Sequence, residues 1–82
     1  MKRTIEVSDI MKKYKNPVAE HVETACSYSS HIDLECDGKN INAKSLMGVM
    51  AFGLKKGMVV NISTEGDDCE LALEGISEFL SD

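Results

Sequence analysis

HIDLECDGKNINAKSLMGVMAFG, residues 31–53, contains in succession the signals of two strands, a tight turn and a helix. Apolar and acidic side chains alternate through residues 32–36, which is the two-residue period of a strand with one buried face. Asp37-Gly38 follows, and this dipeptide is typical of a two-residue hairpin turn because both turn positions adopt positive φ. A returning strand is therefore predicted at residues 39–42, with Ile41 facing inward.

The same stretch predicts a short helix at residues 46–52. Ser45 is a favoured N-cap because its hydroxyl can accept a hydrogen bond from a free backbone N–H of the first turn. Gly53 is suited to end the helix, since glycine adopts the left-handed conformation without strain.

The segment before this stretch predicts a strand at residues 4–8 and a helix at about residues 17–27. Asn16 is a good N-cap, and Pro17 suits the first helical position because its missing N–H would have no partner within the helix. His21 falls on the apolar stripe of this helix, where we expect a partly buried, hydrogen-bonded histidine.

The segment after the stretch predicts a strand at residues 58–64 and an amphipathic helix from about Cys69 to the end. Asp67 and Glu70 have the spacing of a capping box. The order is βαββαβα, which predicts a single α+β domain over residues 1–82. We expect an open-faced sandwich, a four-stranded antiparallel sheet with three helices on one face.

The composition excludes several classes of function. The net charge of −5 argues against charge-driven binding to nucleic acid, and no segment has the roughly 20 apolar residues of a membrane span. The three cysteines lack metal-ligand spacing, so we expect reduced structural thiols, no metal and no cofactor. These observations favour a cytoplasmic protein without membrane insertion.

Residues 37–50, DGKNINAKSLMGVM, closely resemble the regulatory-serine segment of HPr, the phosphocarrier of the bacterial sugar phosphotransferase system. Residues 22–25, 55–57 and 65–68 are also similar to that family, and the resemblance extends over the chain without a gap. It implies the HPr fold and a role among the proteins of sugar uptake and its regulation.

The family's catalytic loop reads Gly-Leu-His-Ala-Arg-Pro, and Pro17 aligns residues 12–17 with it. The resemblance then places Tyr14 at the phosphorylated histidine and Asn16 at the arginine. A phenol with a pKa near 10 stays protonated at neutral pH, its phosphate ester is too stable to pass on, and asparagine lacks the charged fork of arginine. Ordinary phosphoryl relay is not expected, and the chain is not expected to be an enzyme.

Ser45 keeps its full context, and the resemblance implies that an ATP-dependent HPr kinase phosphorylates it. The phosphoserine form would then bind a catabolite-control transcription factor. A dianion is tolerated ahead of a helix, so the new charge would mainly alter docking. A plain N-cap is the alternative for Ser45. Partner contacts are expected from the residues around it, with core packing as the alternative for the methionines: Lys44, Leu46, Met47 and Met50.

The chain resembles the catabolite-repression HPr-like proteins, which also lack the active histidine and keep the regulatory serine. They carry glutamine at the lost position, so Tyr14 is a further departure. Two alternative functions stay open. One is a phosphocarrier that accepts phosphoryl from Enzyme I at a noncognate residue and serves Enzyme II domains. The other is an unphosphorylated decoy of HPr partners.

A weaker candidate site is the basic segment before the second predicted helix. Lys12, Lys13 and Lys15 lie beside a helix N-terminus, where backbone N–H groups favour anions. A possible anion site is therefore predicted at Asn16, Pro17, Val18 and Ala19, with solvated lysines as the alternative. His31 is expected at the surface.

Overall fold

The computed structural model describes residues 1–81 and has eight elements. The strands are β1 (Lys2–Glu6), β2 (His31–Cys36), β3 (Lys39–Asn42) and β4 (Val59–Glu65). The helices are α1 (Ile10–Lys13), α2 (Pro17–Cys26), α3 (Leu46–Phe52) and α4 (Cys69–Ser81). The strand order is β1-β4-β2-β3, and every neighbouring pair is antiparallel.

The predicted α+β open-faced sandwich is confirmed. One face of the sheet packs against the helices, and the aliphatic core lies between the two layers. In β4, Val60 and Ile62 are fully buried and alternate with exposed Val59 and Asn61. Among residues 1–81, no helix is both long enough and apolar enough to cross a membrane.

The hairpin and the helix after it form as predicted. Asp37 and Gly38 have φ values of 50° and 81°, and β2 and β3 pair on either side of them. The Ser45 hydroxyl accepts a hydrogen bond from the Gly48 N–H at 3.1 Å. Gly53 ends the helix at φ 74°. The turn residues and caps in this segment therefore fix where its strands and helix begin and end.

The first strand lies two residues earlier than predicted, at Lys2–Glu6 instead of residues 4–8. Its register on β4 is the reason, because Lys2 pairs with Ser63 and the N-terminal amine donates to the Thr64 carbonyl at 2.7 Å. Val7 has left the strand but is buried, so its apolar character marked the core correctly.

The prediction of three helices is wrong because a fourth, α1, forms in the segment expected to be a loop. It is a single turn, in which the N–H groups of Lys12 and Lys13 donate to the Asp9 carbonyl. Ile10 is buried and anchors the turn to the core. One turn is too short for hydrophobic periodicity to reveal.

The predicted capping box of Asp67 and Glu70 is also wrong. Helix α4 begins at Cys69, so Asp68 precedes it. The Asp68 carboxylate instead accepts bonds from the hydroxyl and N–H of Ser30 and from the N–H of Ser29. These bonds, that of the Ser30 hydroxyl foremost, lower the pKa of Asp68 to about 2.

Candidate functional site

Tyr14 lies between α1 and α2 and is a packing residue. Its ring stacks on Phe79 of α4, with the centroids 4.2 Å apart and the planes 7° from parallel. The Lys13 ammonium lies 5.6 Å from the centroid of the tyrosine ring. The side chain is half-buried against the core. Stacked aromatic pairs contribute about 0.5–1.5 kcal/mol beyond the area they bury, so this contact holds the loop against α4.

His21 packs on the same phenylalanine. Its ring meets Phe79 edge-on, with centroids 5.6 Å apart and an interplanar angle of 62°. The side chain is fully buried, where partial burial was expected, and neither ring nitrogen has a hydrogen-bond partner among residues 1–81, so the expected hydrogen bond is not formed. Burial lowers the pKa of His21 to about 4, and the imidazole is therefore neutral at pH 7.

The N-terminus of α2 is already occupied by groups of this chain. Asn16 caps it by accepting from the Ala19 N–H at 3.4 Å, and Pro17 has no N–H to offer. The Glu20 carboxylate accepts from the Asn16 N–H at 3.0 Å. The negative charge of this carboxylate would repel an external anion, and the Val18 N–H would be the main donor left for the anion at this helix start. The N-cap prediction is confirmed, whereas the geometry offers little to an anion.

Ser45 is exposed ahead of α3, and Lys44 beside it is tied back to α2. The Lys44 ammonium donates to the Tyr28 carbonyl at 2.6 Å, just beyond the end of that helix. The Cys26 thiol contacts the Lys44 carbonyl at 3.9 Å. Lys44 therefore ties the segment before α3 to the C-terminal end of α2.

The outer face of α3 is apolar and exposed. The exposed fractions of Leu46, Met47 and Met50 are 48%, 82% and 62%. Val49 and Phe52, on the opposite face of the helix, are buried. The core-packing alternative for the two methionines is therefore excluded, and the serine stands at the edge of an exposed apolar surface.

The structure does not bring Tyr14 and Ser45 together. Tyr14 precedes the N-terminus of α2, whereas Lys44 and Ser45 lie near its C-terminus. A ten-residue helix is about 15 Å long, so the two candidate sites are roughly one helix length apart.

His31 and the three cysteines are the remaining candidate ligands. His31 is exposed, as predicted, and its Nε2 lies 3.1 Å from an Asp33 carboxylate oxygen. The three cysteines are free thiols. Within the described part of the chain, no group of three histidine, cysteine or acidic side chains could hold a metal ion.

Sequence reasoning missed Phe79 and Glu20 as members of these sites. The apolar stripe of α4 marked Phe79 as a core residue without showing which loop it would contact. Glu20 follows Asn16 by four residues, and that spacing was an available sign of contact at the helix start.

The whole chain, residues 1–82, matches the family model described as the PTS HPr component phosphorylation site. The HPr-like protein Crh of Halalkalibacterium halodurans is 39% identical over 64 residues, which cover 78% of this chain and 76% of that protein. The phosphocarrier protein HPr of Bacillus anthracis superposes with a TM-score of 0.87 at 35% identity, covering 99% of this chain and 96% of that one. Crh of Bacillus subtilis, crystallised as an intertwined dimer with a swapped domain, has a TM-score of 0.74 at 32% identity, covering 92% and 82%. The chain is thus similar both to a phosphocarrier and to catabolite-repression proteins.

Proposed function

The chain belongs to the HPr family of the phosphotransferase system, and we propose that it is a regulatory member that has lost the phosphocarrier function. The observation that carries the proposal is Tyr14, aligned with the family's phosphorylated histidine, packed by its ring face on Phe79. A phosphoacceptor needs a neutral nucleophilic nitrogen that is open to the donor. This position instead carries a phenol ring that is engaged in packing on Phe79.

The neighbouring groups do not compensate for the lost histidine. Asn16, aligned with the family's arginine, uses its side-chain oxygen to cap α2 and brings no positive charge for a phosphoryl group. His21 is the histidine that lies nearest in the fold through Phe79, but it is fully buried. A carrier that uses a noncognate residue therefore has little support.

Ser45 is the proposed switch. Its hydroxyl is exposed, and its one bond to the Gly48 N–H leaves it open to a kinase. Phosphorylation would place about two negative charges at the edge of the apolar surface of Leu46, Met47 and Met50 without entering the core. The charge would change which proteins dock there and leave the fold unchanged.

The proposed partners are an HPr kinase and a catabolite-control transcription factor, in the cytoplasm. The likeness to two Crh proteins supports this choice, since one of them is named as a catabolite-repression protein. Methionine side chains adapt to several binding surfaces, which suits a protein that must meet both a kinase and a transcription factor. Enzyme I and Enzyme II domains are proposed only as weaker partners.

The test is incubation with an HPr kinase and ATP, followed by mapping of the phosphate by mass spectrometry. We expect one phosphate on Ser45, none on the Ser45→Ala variant, and tighter binding of the transcription factor to the phosphorylated form. Absence of phosphate from Ser45 would overturn the switch. If Ser45→Ala binds the transcription factor as well as the phosphorylated protein does, the chain is a decoy that needs no phosphorylation.

A further inference from the structure

His21 is a buried base whose ring nitrogens are unpaired in the part of the chain that the structure describes. Neither nitrogen has a hydrogen-bond partner among residues 1–81, although buried polar atoms in native proteins are nearly always paired. An aliphatic side chain on this face of α2 would fill the core without that cost. The histidine therefore makes the α2–α4 interface depend on the imidazole staying neutral.

Phe79 connects this base to the surface. The imidazole meets one part of the phenylalanine ring edge-on, and the Tyr14 ring covers a face of the same ring. Movement of the imidazole out of the interface would remove one of the contacts that position Phe79, the ring on which Tyr14 is stacked. The state of His21 is thereby transmitted to the loop between α1 and α2.

That loop is held by few other contacts. Helix α1 is a single turn, and such a turn is not stable in isolation. In the segment between buried Ile10 and buried Pro17, Tyr14 is the side chain that packs on the core, while its neighbours are exposed. The segment can therefore open without unfolding the sheet.

No counter-charge is placed to hold a protonated His21. Helix α2 packs against α1, α3 and α4, and α3 carries no titratable side chain. On the other elements, and on α2 itself, no charged group lies within ion-pair distance of the imidazole among residues 1–81. Glu74 pairs with Arg3, and Glu20 accepts from the Asn16 N–H. The full set of titratable groups on these elements and the adjoining loop is Lys12, Lys13, Tyr14, Lys15, Glu20, Glu23, Cys26, Cys69, Glu70, Glu74 and Glu78.

We propose that His21 is a proton-controlled latch, whose protonation expels the imidazole from the α2–α4 interface and releases Tyr14 from Phe79 while the sheet stays folded. In the closed form the imidazole lies in the α2–α4 interface and is neutral. In the open form it is exposed to solvent and titrates as an ordinary histidine. Below pH 6.5 the open population then rises about tenfold per pH unit, until the closed form itself begins to titrate near pH 4. Between pH 6.5 and pH 4 the open population therefore rises about 300-fold in total. This regulation is independent of Ser45 and would make the surface around Tyr14 sensitive to acid.

Hydrogen exchange measures this opening directly, because it detects openings that are rarely populated. The reporters are the amides of Tyr14, which donates to the Ile10 carbonyl, and Glu20, which donates to the Asn16 carbonyl. The control amide is Ile62, in the centre of the sheet. Exchange is followed from pH 7 to pH 4 and corrected for the intrinsic rates.

In the wild type we expect the protection of both reporter amides to fall about tenfold per pH unit below pH 6.5, while Ile62, which exchanges only through global unfolding, keeps a larger protection factor than either reporter at every pH. The matched variant His21→Leu removes the base and keeps Glu20, so titration of that carboxylate is controlled for. His21→Gln serves the same purpose if the leucine variant does not fold. An unchanged pH dependence in these variants, a flat profile in the wild type, or reporter protection factors equal to that of Ile62 would overturn the latch.

Discussion

The packing role of Tyr14 predicts that truncating its ring destabilises the domain. The ring stacks on Phe79 at 4.2 Å and is half-buried. Complete removal of a fully buried aromatic side chain costs about 3–5 kcal/mol, and a half-buried one should cost about half of that. This value includes the stacking contribution of about 0.5–1.5 kcal/mol. We therefore expect Tyr14→Ala to lower the free energy of unfolding by about 2 kcal/mol.

The assay is urea unfolding at pH 7, followed by circular dichroism, with Tm as a second readout. In a domain of this size, 2 kcal/mol corresponds to a decrease in Tm of about 8–16 °C. Tyr14→Phe keeps the stacked ring and should stay within about 0.5 kcal/mol of the wild type. Lys15→Ala, at an exposed neighbouring position, is the matched surface control. If Tyr14→Ala unfolds at the same urea concentration as Lys15→Ala, the ring is not held by Phe79 and the packing role of Tyr14 is refuted.

Three further predictions concern other parts of the domain. A Cβ at Gly75 would overlap the Tyr28 hydroxyl oxygen, so Gly75→Ala should cost about 1–3 kcal/mol. In a Tyr28→Ala background the same change should stabilise by about 0.5–1 kcal/mol, because alanine favours a helix more than glycine does. If urea unfolding shows that Gly75→Ala changes the unfolding free energy in the same direction in both backgrounds, the clash is refuted. The pKa of His21 is about 4 in the folded state and 6.5 in the unfolded state, so the unfolded state binds the proton first as the pH falls. The contribution of His21 to the unfolding free energy is therefore complete above pH 6.5 and has decreased by about 3 kcal/mol at pH 4. The difference in unfolding free energy between the wild type and His21→Leu should change by this amount, and a constant difference would contradict it. Asp37 has a φ of 50°, so Asp37→Val should cost about 1–2 kcal/mol in the same assay while Asp37→Asn is tolerated; equal losses would remove the positive-φ explanation.

The elements that could be predicted from the sequence are those specified by adjacent residues. Asp37-Gly38 made the turn, Ser45 capped α3, and Asn16 capped α2, because each effect acts over four residues or fewer. The family resemblance located the candidate sites in the same way, through a continuous motif.

The features that could not be predicted depend on contacts between distant parts of the chain. The Asp68 carboxylate accepts hydrogen bonds from the N–H groups of Ser29 and Ser30, which lie about forty residues away in the sequence. A local motif would instead have directed this carboxylate to the start of its own helix. Nothing near Tyr14 indicates that Phe79 will cover it. Burial of His21 followed from the helical stripe, but the absence of a hydrogen-bond partner depends on what the neighbouring helices present to it.

The central claim is that the aligned histidine position no longer accepts phosphoryl groups. The most direct test incubates the chain with phosphoenolpyruvate and Enzyme I, with a histidine-containing HPr as positive control, and measures the intact mass under conditions that preserve phosphohistidine. We predict that the control gains one phosphoryl group and that this chain gains none. Acid-labile phosphoryl on this chain would contradict the claim and identify it as a carrier.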